Sequence, residues 1–260
     1  MTIDWPIILS LIGLMFLVGM VIGFIGAGGA GIVVALLTTA YGLPIHVAIG
    51  TALGTMCLTT VSGAISHVRE GNVAPRIGAV VGISGAVGAV LGAYVGQDIP
   101  EARLQVFAGL GLWFLAALVW VRSRMEIGGR VSEQWSGEPV WPTRLLAEGV
   151  GIGGVGGVAA ALLGVGMAPF IQLGYLARFN LPLRQTVGTT MFTLFLISLS
   201  GAIALATADD VSYPYLVGAT IGLASGAYLG AKFTRRAPRQ VLRAAIVTVP
   251  IIAGAMLLFL

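Results

Sequence analysis

Charge is what this chain of 260 residues has least of. Asp, Glu, Lys and Arg together make up 9% of it, whereas a soluble domain carries roughly a quarter. With a mean hydropathy of +0.99, a water-soluble fold is excluded. No Lys or Arg precedes Arg69, and Asp4 stands near the start, so the first apolar run lacks the basic flank and cleavage site of a signal peptide. The single cysteine, Cys57, excludes an intrachain disulfide. No acid or base lies well inside an apolar run, Glu148 being the nearest, so the buried carboxylate usual in a cation site is missing. Strict alternation is absent too, which excludes a β-barrel. A net charge of +4 spread over loops gives no reason to invoke nucleic acid.

What remains is long apolar sequence. A membrane-spanning helix takes about 20 apolar residues, and such runs cover 6–25, 45–66, 77–96, 103–121, 145–163, 185–207, 214–231 and 244–260. Two shorter stretches, 29–41 and 168–177, follow glycine-rich breaks. The pattern predicts an all-α polytopic protein with about 8–10 membrane segments, multi-pass in the cell inner membrane.

The chain is written twice. Displaced by 138 residues without gaps, Gly26 falls on Gly164, Gly28 on Gly166, Leu43-Pro44 on Leu181-Pro182, and Gly50-Thr51 on Gly188-Thr189. Further on, Thr55 meets Thr193 and Ser62-Gly63-Ala64-Ile65 meets Ser200-Gly201-Ala202-Ile203. Two homologous repeats follow, 1–122 and 144–260, joined by a polar segment, 123–143. Basic residues collect in 67–76, in the connecting segment, at Arg178 and Arg184, and in 232–243, which places these on the cytoplasmic side. Asp209 and Asp210 mark the other side. Loops at equivalent positions thus face opposite ways, and an inverted repeat is the favoured reading. Parallel repeats of four helices each are the alternative. Under inversion, 6–41 and 145–179 each enter and return on one side, turning near Gly26–Gly31 and Gly164–Pro169. About 12 residues of helix reach only about 18 Å of a roughly 30 Å core, so whether the second limbs span is open.

The opening glycines, Gly26-x-Gly28-x-x-Gly31, match a dinucleotide fingerprint, as do Gly151-x-Gly153-x-x-Gly156. Neither has the preceding strand or the later acid that the fingerprint needs. Glycines four apart at 78–82, 88–96 and 218–230 read as faces for close helix packing. Gly26, Gly28 and Gly29 differ, being denser and marking a break, and Gly164 and Gly166 repeat it. Paired broken helices mark a transporter's binding site, and the helices that start there favour anions at their N-termini. A polar stripe of Thr51, Thr55 and Ser62, copied as Thr189, Thr193 and Ser200, together with Gly50 and Gly188, completes the expected substrate site. The plainer reading is that these hydroxyls bond their own helix and fill gaps. His46 and Arg184, equivalent by the repeat, and His67 with Arg69 are candidates for the gates or pathway, with anchoring at the interface as the plainer role. Cys57 lies on the opposite face and reads as packing.

The stretches GFIGAGGAGI, LPIHVAIGTAL and SGAISHVREGNV resemble the TauE/SafE sulfite exporter family, the sulfonate uptake permease superfamily. Gly26, Gly28, Gly29, Pro44, Gly50, Thr51, His67 and Gly71-Asn72 match the first copy of its motif, and Leu163-Gly164-Val165-Gly166, Pro182, Gly188 and Thr189 the second. Met167 replaces a glycine, Ala52 a hydroxyl that Thr190 keeps, and Leu205 with Asp209-Asp210 the second His–Gly–Asn turn. The resemblance implies transport of a small sulfur anion (sulfite, thiosulfate or an organosulfonate) across the inner membrane.

The expected function is therefore a transporter of small sulfur-containing anions, its substrate held near the midplane between the repeats and moved by alternating access. The bilayer and a small anion are its partners, with no cofactor, no metal and no enzymatic role. Oligomeric state is open, with room for a homodimer. A structural membrane subunit and an anion channel are the competing readings. A membrane enzyme would need a catalytic set at depth, and Ser62 or Ser66 with His67 lacks an oxyanion arrangement.

Overall fold

The computed structural model describes residues 5–25, 29–127, 142–234 and 239–259. Among them are ten α-helices and no strand: α1 Trp5–Ile25, α2 Ala30–Thr39, α3 Ile45–Arg69, α4 Pro75–Gln97, α5 Glu101–Ile127, α6 Pro142–Leu163, α7 Ala168–Arg178, α8 Leu183–Ala206, α9 Tyr213–Thr234 and α10 Arg239–Phe259. Five of these are long and apolar enough to cross a membrane among the described residues. Helix takes both ends of the segment 123–143, and 128–141 lie outside the described residues.

The displacement found in the sequence recurs in the helix starts: 30 against 168, 45 against 183, 75 against 213 and 101 against 239. It recurs in the turns as well. Gly42 (φ 65°) and Asn180 (φ 49°) are equivalent left-handed residues, and so are Gly71 (φ 70°) and Asp209 (φ 58°). The first copy uses glycine, which adopts this conformation freely; the second uses Asn and Asp, which tolerate it.

The halves interlock. α1 runs along α9, and α6 along α4, so the first helix of each half packs on the fourth helix of the other. Glycines make this approach close enough for backbone contact. A Cβ on Gly222, Gly226 or Gly230 would collide with the carbonyls of Ile12, Phe16 and Met20, and one on Gly88 or Gly92 with those of Gly154 and Val158. The stripes at 88–96 and 218–230 are packing faces, as their spacing predicts. Gly151–Gly156 lie within continuous α6 helix, so no phosphate loop forms there.

α3 and α8 cross at the centre and run antiparallel. Thr51, in the second turn of α3, reaches Ser212 just beyond the end of α8, and Thr189 of α8 reaches Ala74 just beyond the end of α3. One end of the molecule therefore gathers Tyr41–His46, Gly96–Pro100 and Thr207–Ser212, since His46 Nε2 also meets the Gly96 carbonyl at 3.1 Å. The other end gathers His67–Pro75 and Arg178–Thr189.

Both N-terminal hairpins return to the side they enter. Ser10 Oγ lies 3.3 Å from Tyr41 Oη, and the Arg178 guanidinium 3.6 Å from Glu148. With 10 and 11 residues, α2 and α7 cover only about 15 and 16 Å. Each is a half-span, which settles the length left open by the sequence.

Two predictions concern the turns. A Cβ on Gly42 or Gly71 meets nothing within 4 Å, so Gly71→Ala isolates the cost of the left-handed backbone. It should lower stability by about 1 kcal/mol, while Asp209→Gly at the equivalent position should raise it; thermal unfolding of the solubilised protein measures both. Asp210 occupies the position of Asn72. Burial pushes its carboxyl above the usual range and Asp209 adds to this, His46 pulling the other way. Its folded state thus holds the proton more tightly than the unfolded chain, and stability falls as pH rises through that window. Asp210→Asn should raise the unfolding temperature at neutral pH. The gain should vanish below about pH 4, where the unfolded carboxyl is protonated as well.

Candidate functional site

The site is built from backbone. Gly29 caps α2 with φ −102° and ψ 10°, its carbonyl accepting from Ile32 and Val33 at 3.1 and 3.2 Å. Gly26 and Gly28 lie outside the described residues. In the second half the chain leaves helix over 164–167, with Gly164 and Gly166 left-handed at φ 65° and 64°. Pro169 then opens α7 in its first turn, where no N–H is needed. All of Gly164–Pro169 is buried, the condition for irregular backbone at membrane depth.

The two breaks meet. A Cβ on Gly166 would stand 3.2 Å from Ala30 Cβ and 2.9 Å from Met56 Sδ, one on Gly164 2.7 Å from Val34, and one on Gly31 3.1 Å from Val165. Gly31 also presses on Leu112. Met56 and Leu112 stand 11 residues into α3 and α5 (45 to 56, 101 to 112), about 17 Å from their starts. That is close to half of a roughly 30 Å core. The first turns of α2 and α7 thus converge near mid-depth, among Val34, Ile49, Met56, Leu112 and Val165. First-turn N–H groups lack intrahelical acceptors and carry partial positive charge. In apolar surroundings of low dielectric, they favour a negative group.

The hydroxyls fall into separate roles. Thr51, Thr55, Thr189 and Thr193 are all 0% exposed. Thr51 Oγ1 accepts the Ser212 N–H at 3.0 Å, and Thr189 Oγ1 accepts the Ala74 N–H at 2.9 Å. Gly50 and Gly188 leave no room for a Cβ, because the Asp210 and Asn72 carbonyls lie against them. Each Gly-Thr pair is a seat for the loop of the opposite half. The structure does not bring Thr51 and Thr189 together: Leu53 lies by Gly201 and Met191 by Gly63, a register that separates the two threonines by about 20 Å along the helices. Thr55 donates to its own helix at Thr51 O, 2.9 Å away. Thr193 instead pairs with Tyr175 Oη at 2.5 Å, and Ser200 donates to Ala86 O at 3.1 Å. Cys57 is buried.

Ser62 faces outward with Val61, Ile65, Ser66, Arg69 and Glu70, lining an open groove of about 670 Å³ at the Arg-rich end of α3. Glu70 is held there by Ser66 Oγ (3.1 Å) and Asn72 Nδ2 (2.9 Å). Arg69 and Arg184 are exposed at this end; His46 is half-buried at the other. Among the described residues no three of His, Cys, Asp and Glu are grouped to hold a metal.

Tyr175 and Gln172, both buried in the half-span α7, escape the sequence reading. Their signal is asymmetry between the copies, since the equivalent residues of α2 are Leu37 and Val34.

Residues 11–257 match the sulfite exporter TauE/SafE family. The chain is 42% identical over 245 residues to the probable membrane transporter protein YdhB of Bacillus subtilis (strain 168), covering 94% of this chain and 98% of that one. It is 27% identical to the probable membrane transporter protein YjnA of the same organism, over 92% of this chain and 96% of that one. A probable membrane transporter protein of Xylella fastidiosa (strain 9a5c) is 25% identical over 84% of this chain and 83% of its own. No solved structure matches. With a match over nearly its whole length and a relative so close, this multi-pass protein belongs to the TauE/SafE family of membrane transporters.

Proposed function

We propose that the protein carries a small sulfur-containing anion (sulfite, thiosulfate or an organosulfonate) bound where the first turns of α2 and α7 converge. The observation that carries the reading is that junction, where Gly166 lies against Ala30 and Gly31 against Val165 at mid-depth. Two positive helix ends without a neighbouring carboxylate suit an anion and repel a cation.

The repeats are inverted in this reading. Antiparallel α3 and α8, each seating the loop of the other half, are what an axis lying in the membrane plane would generate. The end bearing Arg69, Arg76 and Arg184 faces the cytoplasm, and the end bearing Asp98, Asp209 and Asp210 faces out. A negative-inside potential then drives an anion outward with about 2.3 kcal/mol per charge per 100 mV. Alternating access uses the two Gly-Thr seats: Gly50-Thr51 closes the outer end on 210–212, and Gly188-Thr189 the inner end on 72–74. Releasing one seat while the other holds opens one side at a time.

Flux into liposomes under an imposed potential tests this, comparing sulfite, thiosulfate, taurine, sulfate and chloride. Saturable movement of one sulfur anion is expected; unsaturable current would mark a channel, and no anion flux under any gradient would leave a structural subunit. Gly166→Ala should cut the flux at least tenfold, because the new Cβ meets Met56 and Ala30 and the left-handed backbone is strained by roughly 1 kcal/mol or more. Gly42→Ala carries the same backbone strain far from the junction and should leave flux intact in folded protein. Thr51→Val with Thr189→Val leaves a buried and a part-buried loop N–H unpaired, at about 1–3 kcal/mol for the buried one and less for the other. Flux should fall at least tenfold there and survive in the Thr→Ser pair, which keeps both acceptors.

A further inference from the structure

We propose that His67 is a proton-binding site through which transport responds to pH, a proposal that rests on the anion-transport reading above. No acid or base lies well inside an apolar run, so proton binding must sit near a mouth. His67 occupies such a place, two residues before the end of α3. Its neighbours Ser66 and Arg69 line the groove of about 670 Å³ at the Arg-rich end. The ring itself turns into the protein. Its Nδ1 is buried and has no hydrogen-bond partner.

The opposing wall belongs to α8. Gly188 makes room for the histidine, since a Cβ there would stand 3.0 Å from His67 Cβ. One turn earlier on α8, the buried Gln185 Oε1 also lacks a partner. The two unsatisfied atoms are complementary. A neutral imidazole offers one donor and one acceptor, whereas the protonated ring donates from both nitrogens. One added proton places a hydrogen on Nδ1 whichever tautomer it starts from, and a carboxamide oxygen, or an oxygen of a passing anion, is equipped to accept it. Imidazole is the side-chain type that changes charge near neutral pH.

The charged groups gathered at this end set the sign. From α3 come Arg69 and Glu70, the latter tied by Ser66 and Asn72; from α4 comes Arg76, and from α8 Arg184. A protonated His67 adds to an excess of cations at this end of the molecule, so anions load better as pH falls. The device is single. Its equivalent in the second half is Leu205, and the chain's other histidine, His46, bonds the Gly96 carbonyl at the opposite end.

Thiosulfate, which keeps its charge through neutral pH, is the probe. Its saturable flux should be several-fold higher at about pH 6 than at about pH 8, with the same pH on both sides. His67→Gln and His67→Asn should each bring that ratio to about 1, read within each variant. A second measurement needs no change at His67: His46→Gln leaves one imidazole, whose ring nitrogen resonances are followed by NMR across pH with and without thiosulfate. Its midpoint should rise when the anion is added. Saturable flux that is flat with pH, a ratio that survives both variants, or a midpoint indifferent to thiosulfate would each overturn the role of His67 alone. Wild-type protein without saturable flux at any pH would overturn the transport reading, and this proposal with it.

Discussion

Backbone lying directly on backbone holds this protein together. Lipid offers no hydrophobic reward for bringing two apolar helices into contact, so association rests on close packing. Along α1 with α9, and α6 with α4, glycines clear the way at the closest approaches, where a Cβ would meet the facing backbone. Because those pairs join opposite halves, the contact also fixes where the halves stand relative to one another. The junction of the two breaks, the antiparallel crossing of α3 and α8 and the loop seats all follow from it.

The seats show how few polar bonds the arrangement needs. Each Gly-Thr pair spends its glycine on proximity and its hydroxyl on a single N–H at the head of a helix from the other half. A loop N–H buried without such an acceptor would be costly, so the loops between α3 and α4 and between α8 and α9 are fixed by residues more than a hundred positions away. The same small residues that permit tight packing thus decide which loops can let go.

Much of the fold was legible in the sequence. Continuous apolar runs gave the helices, and the displacement of Gly50-Thr51 onto Gly188-Thr189 gave the two halves. Charge placement predicted that each hairpin returns to the side it enters, and Ser10 with Tyr41 and Glu148 with Arg178 show that return. What escaped notice was anything that depends on a distant partner. Thr51 and Thr55 share a helix face in the sequence, but Thr51 answers Ser212 while Thr55 turns back on its own helix. Periodicity places a hydroxyl on a face and says nothing of what crosses to meet it. Ser62 belongs to the same repeat motif as Ser200, yet it opens on a groove while Ser200 bonds Ala86 of α4. Tyr175 was invisible for the opposite reason, having no counterpart to draw attention to it.

The pairing of α1 with α9 has a consequence for how the protein is made. The partner of α1 ends about 200 residues downstream, and at roughly 5–20 residues per second of synthesis it emerges about 10 to 40 s later. Until then the first helix stands in lipid with its contact face bare. α6 has no such wait, since α4 precedes it. The second half can therefore dock onto the first as it inserts, whereas α1, the oldest helix, gains its partner only when α9 arrives.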